Sequence, residues 1–294
     1  MSKLTLGPLL FHWNAEKRRD FYFRMADEAD VDCVYVGEAV CSKREHFFAP
    51  YFEEVVQRLK AAGKEVVVST LSLVTSEREM ASIQKHCDEG FLIEANDVSC
   101  IKTLEGKPFV IGPYINTFNE GTLDFLIRKG AMRLVMPMEL NAASMGILAG
   151  RDKKFETEVM VFGRQTLSVS MRCYHARANG IKKDGCQFVC GTDEDGLPAD
   201  DFDGQKLFTI NGIQVMSHGY AVLLKEMAAL EKKGVSCFRL SPQNVDMVKV
   251  ADLYRKTLKK KMAPKEAIEK LHKVTKEVPF INGYISGREG MAWK

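Results

Sequence analysis

Short apolar runs rich in Val, Ile and Phe alternate along the chain with longer stretches in which apolar residues recur at helical spacing. Nearly continuous apolar runs are typical of strands that are buried on both faces. They predict strands at residues 4–11, 31–37, 65–71, 91–94, 109–114, 133–136, 158–162 and 236–240. The amphipathic stretches predict helices at residues 16–29, 49–62, 76–88, 120–129, 142–149 and 245–260.

The strand–helix unit repeats about every 20–30 residues in the first half of the chain, a rhythm that gives right-handed crossovers and a parallel sheet. With about eight strands, a closed (β/α)8 barrel of the TIM type is favoured. An open doubly wound sheet is the alternative. No linker interrupts the pattern, so we expect one barrel domain over residues 1–294.

This rhythm breaks at residues 168–204, which are polar, rich in turn residues and rich in cysteine. A long irregular segment inside a compact domain is usually functional or held in place by another group. We therefore predict a Cys-rich insertion here. The β-α pattern is predicted to resume at residues 208–216, followed by a helix with apolar positions at residues 220, 223, 224, 227 and 230.

Composition and charge narrow the function classes. The 294 residues are 46% hydrophobic, enough for a large core, and carry a net charge of only +3, without the clustered basic excess usual in nucleic-acid binders. No apolar run approaches the ~20 residues of a membrane span, and the amino-terminal residues do not resemble a signal peptide. We expect a cytoplasmic protein without disulfides.

Four of the eight cysteines form a candidate metal site: Cys41, Cys173, Cys186 and Cys190. The last three are spaced C-x12-C-x3-C, and thiolates suit a [4Fe–4S] cluster or a structural zinc. The wide span along the chain favours a cluster, while zinc and a metal-free site remain alternatives. The other cysteines lie in apolar patterns and are expected to be small buried residues: Cys33, Cys87, Cys100 and Cys237.

Other chemical signatures are sparse. Glu38 and Glu139 follow predicted strands at the end where barrel active sites gather, although a helix cap or an ion pair explains them equally well. His46 and His175 lie near the cysteines in sequence and are candidates for a supporting role. The sequence contains no H-E-x-x-H, G-x-S-x-G, P-loop or G-x-G-x-x-G motif, and no catalytic residue is predicted.

At the level of motifs, the chain resembles the collagenase-like peptidase (U-32) family over nearly its whole length. The resemblance is carried by LGP at 6–8, YVGEAVCSKR at 35–44, MPMEL at 136–140, EVMVFG at 158–163, SMRC at 170–173, NGIQVMS at 211–217, RLSPQ at 239–243 and NGY at 282–284. Many family members have a cysteine where this chain has Thr166. That departure fits the branch that uses an early cysteine, here Cys41, and that acts in oxygen-independent ubiquinone biosynthesis.

This resemblance implies a [4Fe–4S] cluster on Cys41, Cys173, Cys186 and Cys190. It also implies a heterodimer with a UbiU-like subunit that hydroxylates a prenylated ubiquinone precursor without O2, with prephenate as the oxygen donor and a lipid-carrier protein as a further partner. Related members hydroxylate RNA bases, which is an alternative function, as is a zinc-stabilised scaffold without redox chemistry. Proteolysis is not expected, because no nucleophile–base pair or metalloprotease motif is visible.

Overall fold

The computed structural model describes residues 2–152, 154–275 and 278–294. Within them the strands are β1 (Lys3–Leu6), β2 (Cys33–Gly37), β3 (Glu65–Ser69), β4 (Leu92–Ala95), β5 (Phe109–Ile111), β6 (Ala131–Val135), β7 (Glu156–Val169), β8 (Leu197–Asp200), β9 (Lys206–Asn211), β10 (Gln214–Val222), β11 (Cys237–Leu240) and β12 (Phe280–Ile281). The helices are α1 (Ala15–Asp27), α2 (Glu45–Ala61), α3 (Glu77–Asp88), α4 (Cys100–Leu104), α5 (Glu120–Arg128), α6 (Ala142–Ala149), α7 (Tyr174–Ala178), α8 (Met227–Lys232), α9 (Met247–Leu258) and α10 (Pro264–Val274).

Eight parallel strands close into a barrel. Strands β1 to β7 neighbour one another in chain order, and β11 fills the gap between β7 and β1. Strand β2 (CVYVG) shows why the apolar runs form these elements, because its first four residues are buried between the barrel interior and the helical layer. The predicted (β/α)8 fold is confirmed, and each of the eight predicted strands overlaps one barrel strand.

The helices begin where polar side chains can cap them. Asn14, Asn119 and Asn141 accept hydrogen bonds from backbone N–H groups in the first turns of α1, α5 and α6, and Ser76 caps α3 in the same way. These caps fix the lengths of the strand–helix connections. The six helices predicted at residues 16–29, 49–62, 76–88, 120–129, 142–149 and 245–260 are present, with ends that differ by at most a few residues.

Strand β7 is much longer than its neighbours, because its second half leaves the barrel and enters an antiparallel extension. It pairs there with β10, which pairs in turn with β9, and β9 pairs with β8. The chain bends at Gly163, whose φ of +117° suits glycine and where a Cβ would lie 2.7 Å from that of Ser241. The extension thus continues directly from the barrel wall.

Two predictions made for the region after residue 204 are wrong. Residues 208–216 do not resume the β-α pattern but form the hairpin of β9 and β10, which turns at Gly212 with a φ of +60°. The predicted helix from residue 220 is absent, since Tyr220 lies in β10 and α8 begins only at Met227. Of the positions at helical spacing, Tyr220 lies in β10 whereas Met227 and Leu230 lie in α8, so the apparent periodicity runs across two different elements.

The segment at residues 168–204 is irregular, as predicted. It holds the single-turn helix α7, two 3-10 turns at Lys183–Gly185 and Val189–Thr192, and the short strand β8. No helix among the described residues is long and apolar enough to cross a membrane.

Candidate functional site: a cysteine-lined cavity beside the barrel mouth

The four cysteines that the sequence singles out line one cavity. Cys41 comes from the loop after β2, whereas Cys173, Cys186 and Cys190 come from the segment between β7 and β8. The cavity contains about 370 Å3 free of protein atoms, counted up to its open side. Apolar and basic side chains complete the lining: Lys43, Arg44, Lys183, Phe188, Val189 and Ile213.

Cys41 is positioned by the buried carboxylate of Glu38. Glu38 Oε1 accepts hydrogen bonds from the backbone N–H groups of Val40 (3.0 Å) and Cys41 (3.1 Å). Its other oxygen forms an ion pair of 3.3 Å with Arg18, which is also buried. Glu38 was a site candidate in the sequence; its contacts show that it holds the Cys41 loop in shape. A larger cavity, of about 880 Å3 counted in the same way, lies on the other side of this ion pair, between α2 and α3.

The other three cysteines are presented by tight turns. Cys173 caps α7, and its Sγ accepts a hydrogen bond of 3.4 Å from the Ala176 N–H group. Cys186 follows one 3-10 turn and Cys190 lies in the next. Between them, Gln187 and Phe188 have φ values of +48° and +55°, a backbone region that non-glycine residues rarely adopt. Such strain persists only where the surroundings enforce it.

Two lysines join the Cys41 loop to the extension. The Lys43 Nζ donates to the Lys183 carbonyl oxygen at 2.9 Å, and the Lys183 Nζ donates to the Met171 carbonyl oxygen at 3.0 Å. The cavity wall is therefore continuous between two parts of the chain that are far apart in sequence.

The Arg44 side chain closes the inner side of the cavity. It is 2% exposed and donates to the Leu10 carbonyl oxygen (2.9 Å) and to Asn211 Oδ1 (3.2 Å), while its Nε has no partner. Burial raises the pKa of Cys190, and the Arg44 guanidinium beside that thiol acts in the opposite direction. Gly212 makes this approach possible, since a Cβ at its position would lie 2.8 Å from Arg44 Nη2.

These residues suit a thiolate-bound metal group. The cavity offers four sulfur donors, and a buried guanidinium lies where negative charge would accumulate. Within the described residues, no three His, Cys, Asp or Glu side chains are arranged as ligands of a single metal ion. The structure therefore shows four thiols around a shared cavity rather than a preformed coordination shell.

The other sequence candidates lie elsewhere. His175 is buried in α7 with its Nε2 2.8 Å from Asp193 Oδ2, so it anchors the segment beside Cys173. His46 is exposed and contacts the Phe47 ring in a tilted arrangement, and Glu139 is exposed. The remaining cysteines are buried in the core, as expected: Cys33, Cys87, Cys100 and Cys237.

A second cleft opens at the barrel mouth, between residues at the carboxyl ends of β1, β4, β5, β6 and β11 and residues of β7 where it leaves the barrel. Its polar residues include Glu94 and Arg239, which form an ion pair of 2.8 Å. Arg239 also donates to Glu158 Oε1 at 2.6 Å, deeper in the barrel. Sequence analysis missed these residues. A charged residue inside an otherwise apolar strand, as in LIEA and CFRL, is the signal that points to them.

Comparison with known proteins gives one family match and similarities to solved structures at low sequence identity. The model of peptidase family U32 matches residues 21–294. Among solved structures, the chain is similar to a dihydropteroate synthase from Thermus thermophilus, with 12% identity, 89% of this chain and 95% of that chain covered, and a TM-score of 0.45. It is also similar to a chain of a tryptophan synthase complex from Pyrococcus furiosus, with 12% identity, 94% and 98% covered, and a TM-score of 0.42. The match to the family model extends over nearly the whole chain, and the protein therefore belongs to peptidase family U32.

Proposed function

We propose that the protein is a UbiV-like iron–sulfur subunit of an O2-independent hydroxylase that acts on a prenylated ubiquinone precursor. The observation that carries this proposal is the convergence of Cys41 with Cys173, Cys186 and Cys190 on one cavity, in a chain of family U32. Thr166 stands where many family members have a cysteine, so Cys41 supplies the fourth thiol here.

These four cysteines would hold a [4Fe–4S] cluster, which supplies one-electron transfer when bound. Four protein ligands leave no coordination position for a substrate, so the subunit's role is to pass electrons. Phe188, Val189 and Ile213 limit access of water to the cavity. Arg44 offsets the negative charge of the thiolates at the inner side.

A UbiU-like subunit completes the proposed enzyme as a heterodimer, with prephenate as the oxygen donor. A lipid-carrier protein is the third proposed partner, since a polyprenyl chain is poorly soluble in water. These partners rest on the resemblance to the UbiV branch.

The test of the metal site is anaerobic purification followed by iron, sulfide and zinc analysis, with EPR spectra before and after dithionite. We expect about four irons and four sulfides per chain and a reducible signal. One zinc per chain, with no iron even after anaerobic reconstitution, would overturn the redox role and favour a structural site.

Substitutions of single cysteines test which residues bind the metal group. Cys173→Ala, Cys186→Ala and Cys190→Ala are each expected to lower iron content and soluble yield, because ligands that are scattered along the chain couple metal binding to folding. Cys100→Ala is the matched control, since that thiol is also buried but lies in α4, outside the cavity lining. Iron and stability that stay unchanged in all three variants would contradict the ligand assignment.

The partner is tested by co-expression with a UbiU-like protein and size-exclusion chromatography under anaerobic conditions. We expect a 1:1 complex, and in its presence hydroxylation of the ring without O2. Co-purified RNA whose binding falls steeply with salt would instead favour the RNA-modifying function of related members.

A further inference from the structure

We propose that the cleft at the barrel mouth binds a flat apolar ring that carries a hydroxyl group, and that buried hydrogen bonds connect this site to Arg44, the guanidinium beside Cys190. The ring chemistry deepens the proposed function and rests on it in part. The cleft has apolar walls, a polar end and a connection to the cysteine cavity.

One side of the cleft is built from thioethers. Met136, Met138 and Met160 lie along it, and Met136 and Met160 are buried. The cleft contains about 430 Å3 free of protein atoms, counted up to its open side, which is at the small end of ligand pockets and favours a small occupant. Methionine is flexible and polarizable, so these side chains can repack around a ring and make favourable sulfur–aromatic contacts.

The opposite side presents buried polar atoms that lack hydrogen bonds. Glu94 Oε1 and Arg239 Nη2 lie 2.8 Å apart, which makes them an ion pair, yet neither has a hydrogen-bond partner of acceptable geometry. Glu94 is fully buried and Arg239 is 5% exposed. Buried polar atoms without partners are uncommon in proteins and indicate a missing water or ligand. A hydroxyl group on the ring would supply a partner for both, because it can donate to Glu94 Oε1 and accept from Arg239 Nη2.

Tyr114 supplies a third polar group at the same cleft. Its hydroxyl group lies 3.2 Å from Thr166 Oγ1 and accepts a hydrogen bond of 3.0 Å from Gln214 Nε2. Burial raises the pKa of Tyr114, so the phenol stays protonated at neutral pH. Its hydroxyl can therefore exchange its bond to Thr166 for one to a ligand oxygen.

From Gln214 the hydrogen bonds continue toward the cysteines. Gln214 Oε1 accepts from Asn211 Nδ2 at 3.3 Å, and Asn211 Oδ1 accepts from Arg44 Nη2 at 3.2 Å. Arg44 lies against Cys190. Asn211, Gln214 and Arg44 are each at most 3% exposed, so water does not interrupt the path.

Leu10 contacts both the cleft and the buried hydrogen-bond path to Arg44. Its side chain lines the cleft, while its carbonyl oxygen accepts from both Arg44 (2.9 Å) and Asn211 (2.9 Å). A ligand that displaces Leu10 or rebonds Tyr114 therefore changes the surroundings of the guanidinium beside Cys190. Binding of a ligand in the cleft would thus alter the hydrogen bonds around Arg44 in the cysteine cavity.

The test compares two soluble probes, 4-methylphenol and toluene, which differ only in the hydroxyl group. Binding to the full chain is measured by protein NMR at increasing probe concentration. We expect 4-methylphenol to bind at least about 10-fold more tightly, the worth of one hydrogen bond to a buried polar group. Its binding should also shift the Gln214 side-chain amide resonance, which toluene should leave in place.

Tyr114→Phe removes a single oxygen and should reduce the preference for 4-methylphenol. Tyr254→Phe is the matched control, because Tyr254 is a buried tyrosine whose hydroxyl donates to the Val161 carbonyl oxygen at 2.8 Å, away from the cleft. Equal binding of the two probes, no binding of either, or an unmoved Gln214 amide overturns the proposal, and none of these depends on Tyr114→Phe folding.

These measurements need no iron, so the two proposals fail separately. If the protein binds no iron but still prefers 4-methylphenol, the proposed ring-binding cleft stands and the proposed redox role is refuted. If the protein binds iron but binds both probes equally, the redox role stands and the ring-binding cleft is refuted.

Discussion

Glu158→Gln is expected to destabilise the protein strongly, although it changes one buried carboxylate to an amide of the same shape. Glu158 is fully buried inside the barrel. It accepts hydrogen bonds of 2.6 Å from Thr5 Oγ1, from the Tyr35 hydroxyl and from Arg239 Nε. Arg133 Nε lies 4.0 Å from the same carboxylate. The substitution removes the charge between two buried guanidinium groups and places an amide donor against groups that already donate.

The expected loss follows from these contacts. Breaking a buried ion pair from one side costs about 3–5 kcal/mol, and Arg239 keeps Glu94 as a second partner, so we expect about 3 kcal/mol. The assay is equilibrium urea unfolding with matched metal content. Asp124→Asn is the control, because it removes a carboxylate from a solvent-screened pair with Arg151 and should change the free energy of unfolding far less.

The difference in free energy of unfolding between wild type and Glu158→Gln should also depend on pH, which provides a second test. Burial raises the pKa of Glu158, but Arg239 and Arg133 outweigh it, so the pKa lies below its ordinary value of 4.5. The stabilisation by the carboxylate is therefore present above pH 4.5 and is lost as the pH falls through the folded-state pKa. The difference between wild type and Glu158→Gln should shrink in acid. A loss no larger than that of Asp124→Asn, or one that is constant with pH, would refute the reasoning.

Three further predictions concern a cysteine of the cavity, a half-buried histidine and a helix cap. Cys41→Ala should lower the iron bound after anaerobic reconstitution, whereas Cys87→Ala, at a buried thiol outside the cavity, should leave it unchanged. Burial and then nearby Arg44 lower the pKa of His12 from 6.5 to about 4, so wild type should lose about 1 kcal/mol relative to His12→Phe between about pH 7 and 5, after allowance for the half-buried ring. This is checked by urea unfolding at both pH values, and parallel pH profiles would contradict it. Asn141→Ala should cost about 1 kcal/mol by uncapping α6, as thermal unfolding can measure, and no change in Tm would count against the cap.

The barrel could be predicted from the sequence because its strands carry an unambiguous signal. Strand β2 and its neighbours are buried on both faces, so their apolar runs are continuous and short. The β9–β10 hairpin was not predicted, because the sequence signal for its turn is weak. The pattern predicts that the β-α rhythm resumes over residues 208–216, but the turn lies within that range. The overlooked signal was Gly212, the first residue of the two-residue turn Gly212-Ile213, where a type II′ hairpin turn favours glycine.

The cysteine site was only partly accessible to sequence reasoning. The spacing of Cys173, Cys186 and Cys190 indicated a metal group, but nothing local to Cys41 shows that it meets them, because that depends on how the extension folds back over the loop after β2. Arg44 reads as a surface residue in the run SKR and is instead buried beside Cys190. Burial of a charge is set by tertiary contacts, and a single sequence does not encode those in any local pattern.

Strand β7 has a mechanical consequence. It is 14 residues long. Its first part is a strand of the barrel and pairs with β11, and its second part belongs to the extension and pairs with β10. Because the extension continues from the barrel through one unbroken strand, it cannot move as a hinged lid unless inter-strand hydrogen bonds of β7 break. Access to the barrel mouth is therefore governed by side chains such as Met138, and the extension serves as a fixed wall whose loops can vary among relatives while the barrel remains undisturbed.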